Sequence, residues 1–324
     1  MIDQKLILAG GSGFLGKALA QHFDALGWEV VVFTRKPSET TAGAREVAWD
    51  GETIGDWTRE LNGSFAVVNL AGRSVDCRYT PANRQIILDS RVKPTRILGQ
   101  AMTQCELPPR VWLNASSATI YRHTLGTPWD EFGADFKPTP AVHDEFSVEV
   151  IHAWENAFNN ATTPHTRKIA LRTTLVLGHA RNSVFPVLCW LARFGLGGRM
   201  GSGNQFVSWL HQADFCRAIE WLIAHEDMSG PVNLAAPNPL PNADMMRLFR
   251  DLVHAPIGLP ATEWMLEIGA FFLRTETELI LKSRRVVPGK LLASGFEFQF
   301  PELRDALQDL VADRRPNVQE PRPS

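Results

Sequence analysis

The chain has 324 residues, which is enough to bury a large core, and its content of 44% hydrophobic and 21% charged residues is typical of a soluble globular protein. A formal net charge of −2 gives no electrostatic reason to expect nucleic acid or an anionic membrane as a partner. No uncharged apolar run approaches the roughly 20 residues of a membrane span, and the charges at Asp3 and Lys5 argue against a secretory signal.

The first predicted elements are a strand, a tight turn and a helix. An apolar run at residues 6–9 precedes Gly10, Gly13 and Gly16, and a helix-compatible stretch follows. Gly10 can adopt the positive φ of the turn, Gly13 lets a phosphate approach the backbone, and Gly16 lets the helix pack closely on the strand. Residues 28–33 form a second apolar strand and complete a βαβ unit. This order predicts a dinucleotide site at the start of the helix, and a glycine loop without a ligand is the alternative.

The end of the second strand indicates which dinucleotide is bound. An NAD site usually has Asp or Glu at this place to bind the ribose 2′-hydroxyl, whereas this chain has Thr34, Arg35 and Lys36. Arg35 can form two parallel hydrogen bonds with a 2′-phosphate, which a carboxylate would repel. The sequence therefore favours NADP(H) over NAD(H). The alternative is that Arg35 and Lys36 are ordinary solvated charges.

Further apolar runs alternate with turns and helix-compatible segments along the chain. This alternation predicts an α/β fold with a doubly wound parallel sheet of the Rossmann type, whose ligand crevice lies outside the carboxyl ends of the strands. The remaining predicted strands are residues 45–49, 65–70, 111–115, 169–171 and 175–177, and the predicted helices include residues 81–102, 147–159, 215–225, 243–253 and 262–282.

The composition of the sequence changes near residue 178. We assign residues 1–178 mainly to an NADP-binding Rossmann domain and residues 179–310 mainly to a smaller C-terminal lobe that covers the substrate end of the cofactor. Residues 311–324 are rich in arginine, proline and polar side chains and are predicted to be a disordered tail. In the lobe, a polar and aromatic cluster lies next to a glycine-rich loop, and Asp214 is expected to cap the helix that follows. The cluster comprises Gln205, Ser208, Trp209, His211 and Asp214.

Cysteine and histidine spacing predicts neither a metal site nor a disulfide framework. The four cysteines lie far apart without a CxxC pair, and the nine histidines show no HxxxH or HExxH spacing. Reduced thiols in a cytoplasm are the simplest interpretation.

Motifs at several strand ends resemble those of one known family. They are the glycine turn, Asn69-Leu-Ala-Gly72, Ser116-Ser-Ala-Thr-Ile-Tyr121 and Leu171-Arg-Thr-Thr-Leu-Val-Leu-Gly178. With them the chain resembles the extended short-chain dehydrogenases/reductases, and within these the atypical epimerase-like branch whose members carry a small C-terminal domain of unassigned role. Later stretches, including Gly201-Ser-Gly-Asn-Gln205 and Arg285-Val-Val-Pro-Gly-Lys-Leu-Leu292, extend the match to about Leu310.

The resemblance implies a set of cofactor contacts. The residues implied are Gly10, Gly13, Phe14, Leu15 and Gly16 for the pyrophosphate, Thr34 and Arg35 for the 2′-phosphate, Leu70 and Ala71 for the adenosine or ribose edge, Arg91 from its helix, and Val176 for the nicotinamide end. For the apolar residues at strand ends, packing in the core is an equal alternative, and Arg91 could instead be a surface cation.

The chemistry usual in the wider superfamily is missing. Members that transfer hydride use a Tyr-x-x-x-Lys pair on one helix face, in which the lysine lowers the pKa of the tyrosine. This chain has only two tyrosines, Tyr79 and Tyr121, and neither has a lysine four residues later. The helix expected to carry the pair reads Phe146-Ser-Val-Glu-Val150. The standard proton relay therefore cannot operate here.

Other side chains are candidates for the chemistry. Ser117 matches the substrate-orienting serine of the superfamily and could hold a carbonyl, and Tyr121 or Glu149 could carry a proton if either faces the cleft. His152 is less favoured. The alternatives are a turn residue for Ser117, a packed aromatic for Tyr121 and a solvated charge for Glu149.

Two functions compete on this evidence. The first is an NADP(H)-dependent oxidoreductase or epimerase that acts on a small oxygenated substrate, with hydride moving at nicotinamide C4. The second is a protein that binds NADP(H) as a structural or regulatory ligand, engages a partner and performs little catalysis. We favour the first, because a cleft with Ser117 and a glycine-rich loop is retained. The sequence is compatible with a homodimer and does not identify the substrate.

Overall fold

The computed structural model describes residues 4–37, 43–180, 183–267 and 276–312. Its strands are β1 (Lys5–Ala9), β2 (Glu29–Thr34), β3 (Ala44–Ala48), β4 (Ala66–Asn69), β5 (Val111–Ser117), β6 (Arg167–Thr173), β7 (Leu175–Leu177), β8 (Phe206–Val207), β9 (Trp209–His211), β10 (Gly230–Leu234) and β11 (Leu240–Pro241). Its helices are α1 (Phe14–Ala25), α2 (Pro81–Met102), α3 (Glu145–Asn159), α4 (Val184–Arg193), α5 (Gln212–Ala224), α6 (Asn242–Leu252), α7 (Glu278–Leu281), α8 (Gly289–Ala293) and α9 (Leu303–Ala312). Within these ranges no helix has both the length and the apolar character needed to span a membrane.

Seven of the strands form one parallel sheet in the order β10-β6-β5-β4-β1-β2-β3. The chain crosses from β1 to β3 in one direction and then places β4 on the other side of β1, so the strand order reverses between β1 and β4. In sheets of this kind the ligand crevice lies outside the carboxyl ends of the strands at the point of reversal. The predicted doubly wound α/β fold is confirmed.

The burial of β1 shows why these apolar runs become central strands. Leu6 and Leu8 belong to the hydrophobic cluster under α1 and α5, whereas Ile7 and Ala9 belong to the cluster under α2 and α3 on the opposite face. All four side chains are fully buried. Because both faces are covered, the strand has no polar side, and its sequence is a continuous apolar run rather than an alternating one.

The residues after β7 build a second, smaller region. In it, α4, α6 and α9 pack around a separate hydrophobic cluster that includes Phe185, Met246 and Leu307. The chain nevertheless returns to the large sheet at β10, which pairs in parallel with β6. The predicted boundary near residue 178 therefore leaves one strand of the large sheet on the far side.

Element limits agree with the sequence where a local signal exists. α2 spans the residues predicted for it, and Thr80 caps its start by accepting a hydrogen bond from the Asn83 N–H at 3.3 Å. The predicted tail begins too early, because α9 continues to Ala312 and buries Leu310. Residues 313–324, and residues 268–275 within the predicted helix 262–282, lie outside the described ranges.

Candidate functional site

The turn after β1 lies where the strand order reverses. Gly10 has a φ of +72°, and its N–H donates to the Phe33 carbonyl at 2.9 Å. A side chain here would place its Cβ 2.8 Å from the Cα of Ala71, which follows β4. Glycine is therefore required both by the backbone conformation and by the close approach of the two strand ends.

The start of α1 carries no side-chain cap. Gly13 is the N-cap residue, and the first helical hydrogen bond runs from the Lys17 N–H to the Gly13 carbonyl at 3.0 Å. The N–H groups of Phe14, Leu15 and Gly16 precede that bond and so lie at the open end of the helix. Donors at a helix start, together with the helix dipole, stabilise an anion such as a phosphate. Gly13 leaves room for one, because apart from its chain neighbours no atom of the described residues lies within 4 Å of the place a Cβ would take.

Alanine substitutions at two glycines of this turn are expected to differ in their effect on stability. A Cβ at Gly16 would clash with the backbone of Gly11, so Gly16→Ala is expected to lower the free energy of unfolding by about 1–3 kcal/mol. Gly13 has an ordinary φ of −81° and open space around it, so Gly13→Ala is expected to change that free energy by less than about 0.5 kcal/mol. Urea unfolding measures both values, and equal losses would contradict the expectation.

The end of β2 presents a cation close to this turn. Thr34 is 6% exposed, and its Oγ1 accepts from the Lys36 N–H at 3.5 Å. Arg35 is exposed and forms no hydrogen bond or ion pair within the described part of the chain. Since Gly10 bonds to the neighbouring Phe33, the two basic residues emerge beside the glycine turn.

Arg91 reaches the end of β4 from α2. Leu70 and Ala71 follow β4 and are partly buried, each packed against a different face of the sheet. The Arg91 guanidinium lies 5.3 Å from the Trp154 ring and donates to a carbonyl of its own helix at 3.0 Å. Burial lowers the pKa of Arg91 to about 10. This partial burial does not agree with the alternative of a surface cation, and the contact with a cofactor stays a prediction.

A buried hydrogen-bond network holds the end of β4 in place. Asn69 donates to the Asn114 side chain at 2.7 Å and to Thr95 at 3.2 Å, and it accepts from the Ala71 N–H at 3.1 Å. The Trp154 indole donates to Thr95 at 3.0 Å. Asn69 belongs to a motif visible in the sequence, whereas Asn114 and Trp154 have no local signal because their partners lie on other elements.

Ser117 and Val176 lie where the sheet ends. Ser117 closes β5 and caps the short turn Ala118–Ile120, with its Oγ accepting from the Thr119 N–H at 3.2 Å. That bond leaves the serine hydrogen to donate elsewhere. Val176 lies in β7, pairs with Leu210 and packs against the main core cluster while remaining partly exposed. The roles predicted for both stay predictions.

The hydroxyl of Tyr121 is committed to a buried network. Tyr121 is 1% exposed, donates to the Asn233 side chain at 2.8 Å and accepts from Arg172 at 3.1 Å. Glu155 holds Arg172 by two bonds of 2.9 Å and accepts from Ser116 at 2.6 Å. Burial raises the pKa of Tyr121. This network joins β5, β6, α3 and β10, and a catalytic role for Tyr121 stays a prediction.

The first half of α3 carries apolar side chains into the core. Phe146 is 8% and Val150 is 4% exposed. Phe146 packs edge-on against Tyr79, with ring centroids 4.9 Å apart. Glu149 and His152 are exposed on the other side of the helix. The phenol nearest to this part of α3 is thus that of Tyr79, in the loop before α2. No spacing in the sequence indicates this contact.

The polar cluster of the second region is buried, and its groups hold the fold together. The prediction that Asp214 caps α5 is wrong, because its carboxylate accepts the N–H groups of Gln299 and Phe300 at 2.8 Å each. His211 is the cap instead, with its Nδ1 accepting from the Ala213 N–H at 3.2 Å. Gln205, Ser208 and Trp209 are also buried.

The chain around α7 brings buried charges to the carboxyl edge of the sheet. Lys282 donates to the Thr119 carbonyl at 2.6 Å and pairs with Asp144 at 2.6 Å, and both charged side chains are 0% exposed. Arg284 donates to the Thr119 hydroxyl at 3.0 Å and lies 3.5 Å from the Glu278 carboxylate. Charges in a mixed polar stretch are ordinarily exposed, so the sequence does not indicate these contacts.

Residues 6–235 match the NAD dependent epimerase/dehydratase family. The chain belongs to this family. Its C-terminal residues 261–310 match a domain of unknown function, DUF1731. Both matches confirm the resemblance drawn from the strand-end motifs.

Similar proteins cover nearly the whole of this epimerase-family chain. The epimerase family protein SDR39U1 of Bos taurus is 31% identical over 95% of this chain and 100% of its own length. The epimerase family protein YfhF of Bacillus subtilis is 29% identical over 96% of this chain and 99% of its own. The crystal structure of human SDR39U1 (isoform 2) with NADPH has a TM-score of 0.79 and 28% identity, covering 96% of this chain and 100% of that one.

Proposed function

We propose that this epimerase-family chain binds NADP(H) and acts as an oxidoreductase or epimerase that transfers hydride to or from a small oxygenated substrate. The arrangement at the β1–α1 turn carries the proposal: a helix start without a side-chain cap lies at the strand reversal, and Arg35, which has no ion-pair partner among the described residues, lies beside it. The solved human relative, which was crystallised with NADPH, supports the same cofactor.

The chain's own residues fit each part of that cofactor. The N–H groups at the start of α1 would hold the pyrophosphate, and the open space at Gly13 would admit it. Arg35 would pair with the 2′-phosphate, with Thr34 beside it. Leu70, Ala71 and Arg91 would line the side formed by β4, and Val176 the nicotinamide end. Bound nicotinamide supplies or accepts hydride at C4.

At the substrate end, Ser117 would donate its hydrogen to a carbonyl oxygen. Its position at the end of β5 and its free hydrogen support this role. For Tyr121 to carry a proton, its hydroxyl would have to give up the bond to Asn233 or the bond from Arg172, which makes it the weaker candidate.

A second candidate function is a protein that binds NADP(H) with little catalysis. The observation that favours it is α3, where Phe146 and Val150 are buried in place of a phenol and an ammonium group. This candidate shares the cofactor site and differs only at the substrate end.

Titration calorimetry on the purified chain tests the proposal. NADPH is expected to bind at least about tenfold more tightly than NADH, which corresponds to about 1.4 kcal/mol. Absorbance of the reduced cofactor is then followed with a panel of ketones, aldehydes and nucleotide sugars. Failure of both dinucleotides to bind would refute the proposal, and tight binding without consumption across the panel would favour the second candidate.

A further inference from the structure

Tyr79 is held at a fixed place in the loop between β4 and α2. Its N–H donates to the Glu276 carboxylate at 2.7 Å, and its carbonyl accepts from Arg84 at 3.0 Å. Its ring packs against Phe146 of α3. The chain has two tyrosines, and this one is partly exposed, whereas Tyr121 is 1% exposed. Of the two tyrosines, Tyr79 is thus the more exposed.

The Tyr79 hydroxyl lies near two polar side chains, Ser147 and Glu278. Ser147 of α3 lies next to this hydroxyl and donates to the Glu278 carboxylate at 2.6 Å. Burial raises the pKa of Tyr79 to about 12 and also raises the pKa of Glu278. The phenol therefore keeps its proton until a stronger base, such as an alkoxide that forms on the substrate, takes it.

These side chains lie between the ends of β4 and β5. On one side, Glu278 lies beside Arg284, whose Nε donates to Thr119, and the Thr119 N–H donates to Ser117. On the other side, the Tyr79 ring packs on Phe146, which stands where the usual phenol is expected. The phenol therefore lies beside the helix position at which the wider superfamily carries its tyrosine.

We propose that Tyr79 is the catalytic residue that gives a proton to the substrate oxygen during reduction. The inference rests on the proposed function and names its missing proton donor. When hydride reaches the carbonyl carbon, the carbonyl π electrons move to the oxygen, which takes the Tyr79 proton. The phenolate that remains takes a proton back from solvent, which the partial exposure of Tyr79 admits.

Fluorine NMR of the chain labelled with 3-fluorotyrosine tests the position of the phenol without requiring turnover. Two resonances are expected, and Tyr79→Phe assigns them by removing one. Adding NADPH is expected to shift the Tyr79 resonance by more than its line width and to leave the Tyr121 resonance within its own. A shift of Tyr121 alone, or no shift of either although calorimetry detects NADPH, would overturn the proposal. Absence of NADPH binding would instead mean that the proposed function itself fails.

Turnover with 9,10-phenanthrenequinone as a carbonyl probe tests the chemistry. Tyr79→Phe keeps the ring that packs on Phe146 and removes only the hydroxyl. It is expected to lower kcat by about 100-fold or more, the contribution typical of a general acid, while the dissociation constant of NADPH stays within about twofold. Tyr121→Phe tests in the same way whether the other tyrosine is the proton donor. The proposal would be overturned if Tyr79→Phe kept the wild-type kcat and Tyr121→Phe lost it. If the wild-type protein does not reduce the quinone, the fluorine shifts alone decide the proposal.

Discussion

Replacing Arg35 with glutamate is expected to weaken NADPH binding by about 100-fold or more and NADH binding by less than about threefold. Arg35 forms no ion pair within the described residues, so the substitution breaks no contact of the fold. A phosphate at the ribose 2′ position would lose a charge-assisted hydrogen bond and meet a carboxylate instead, whereas a 2′-hydroxyl can donate to that carboxylate. Titration calorimetry at one fixed salt concentration measures both affinities.

A matched substitution separates this local effect from a change of net charge. Arg96 is exposed on α2 and pairs with no described carboxylate, so Arg96→Glu alters the total charge equally and is expected to leave NADPH affinity within about twofold. Arg35→Lys should lie between the wild type and Arg35→Glu, because an ammonium keeps the charge but loses the fork geometry. Equal losses for NADPH and NADH in Arg35→Glu would refute the assignment of the 2′-phosphate to Arg35.

Removing the carboxylate of Asp144 is expected to cause the largest loss of stability among these variants. Asp144 and Lys282 form an ion pair of 2.6 Å in which both side chains are 0% exposed. Asp144→Ala leaves the ammonium group buried without its counter-charge, which costs about 3–5 kcal/mol of the free energy of unfolding. Urea unfolding followed by tryptophan fluorescence measures the loss.

The pH dependence of that loss has a definite sign. Burial lowers the pKa of Lys282, and the Asp144 carboxylate opposes the lowering. Without the carboxylate the folded-state pKa falls further below the unfolded value, so the unfolded chain binds more protons and the stability of the variant rises with pH. We therefore expect a smaller deficit near about pH 9 than near about pH 6.

An exposed pair and a double variant provide the comparison. Glu52 pairs with Lys93 at 3.2 Å on the surface, and both side chains are well exposed, so Glu52→Ala is expected to change stability little. Asp144→Leu combined with Lys282→Met removes both charges and should recover much of the loss. A small effect of Asp144→Ala, comparable to that of Glu52→Ala, would show that the buried pair contributes no more than a surface one.

The sequence predicts the fold well where each element carries its own signal. Buried strands such as β1 and β4 are continuous apolar runs bounded by turns, and α2 has Thr80 and Pro81 at its start. Most of the glycine turn is also local, because Gly16 meets Gly11 within the same βαβ unit, although Gly10 also approaches Ala71 beyond it. The cofactor end of the site was therefore predictable, although its individual contacts stay predictions.

The substrate end was less predictable because its contacts join residues far apart in the chain. The bond from Tyr121 to Asn233 spans 112 residues, and the bond from Lys282 to Thr119 spans 163. Asp214 was expected to cap a helix because it directly precedes a helix-compatible stretch, yet its carboxylate binds the N–H groups of a loop 85 and 86 residues away. Whether a charged side chain is buried depends on such distant partners, so spacing along the chain does not report it.

The return of the chain to the large sheet at β10 makes its two regions structurally interdependent. A fragment that stops at residue 178 would lack this edge strand and would expose the backbone of β6, together with apolar surface that Val232 and Leu234 now cover. Such a fragment is not a self-contained folding unit and would tend to aggregate. Genetic dissection of this protein into cofactor and substrate halves is therefore a poor strategy, and point substitutions in the intact polypeptide are the sound alternative.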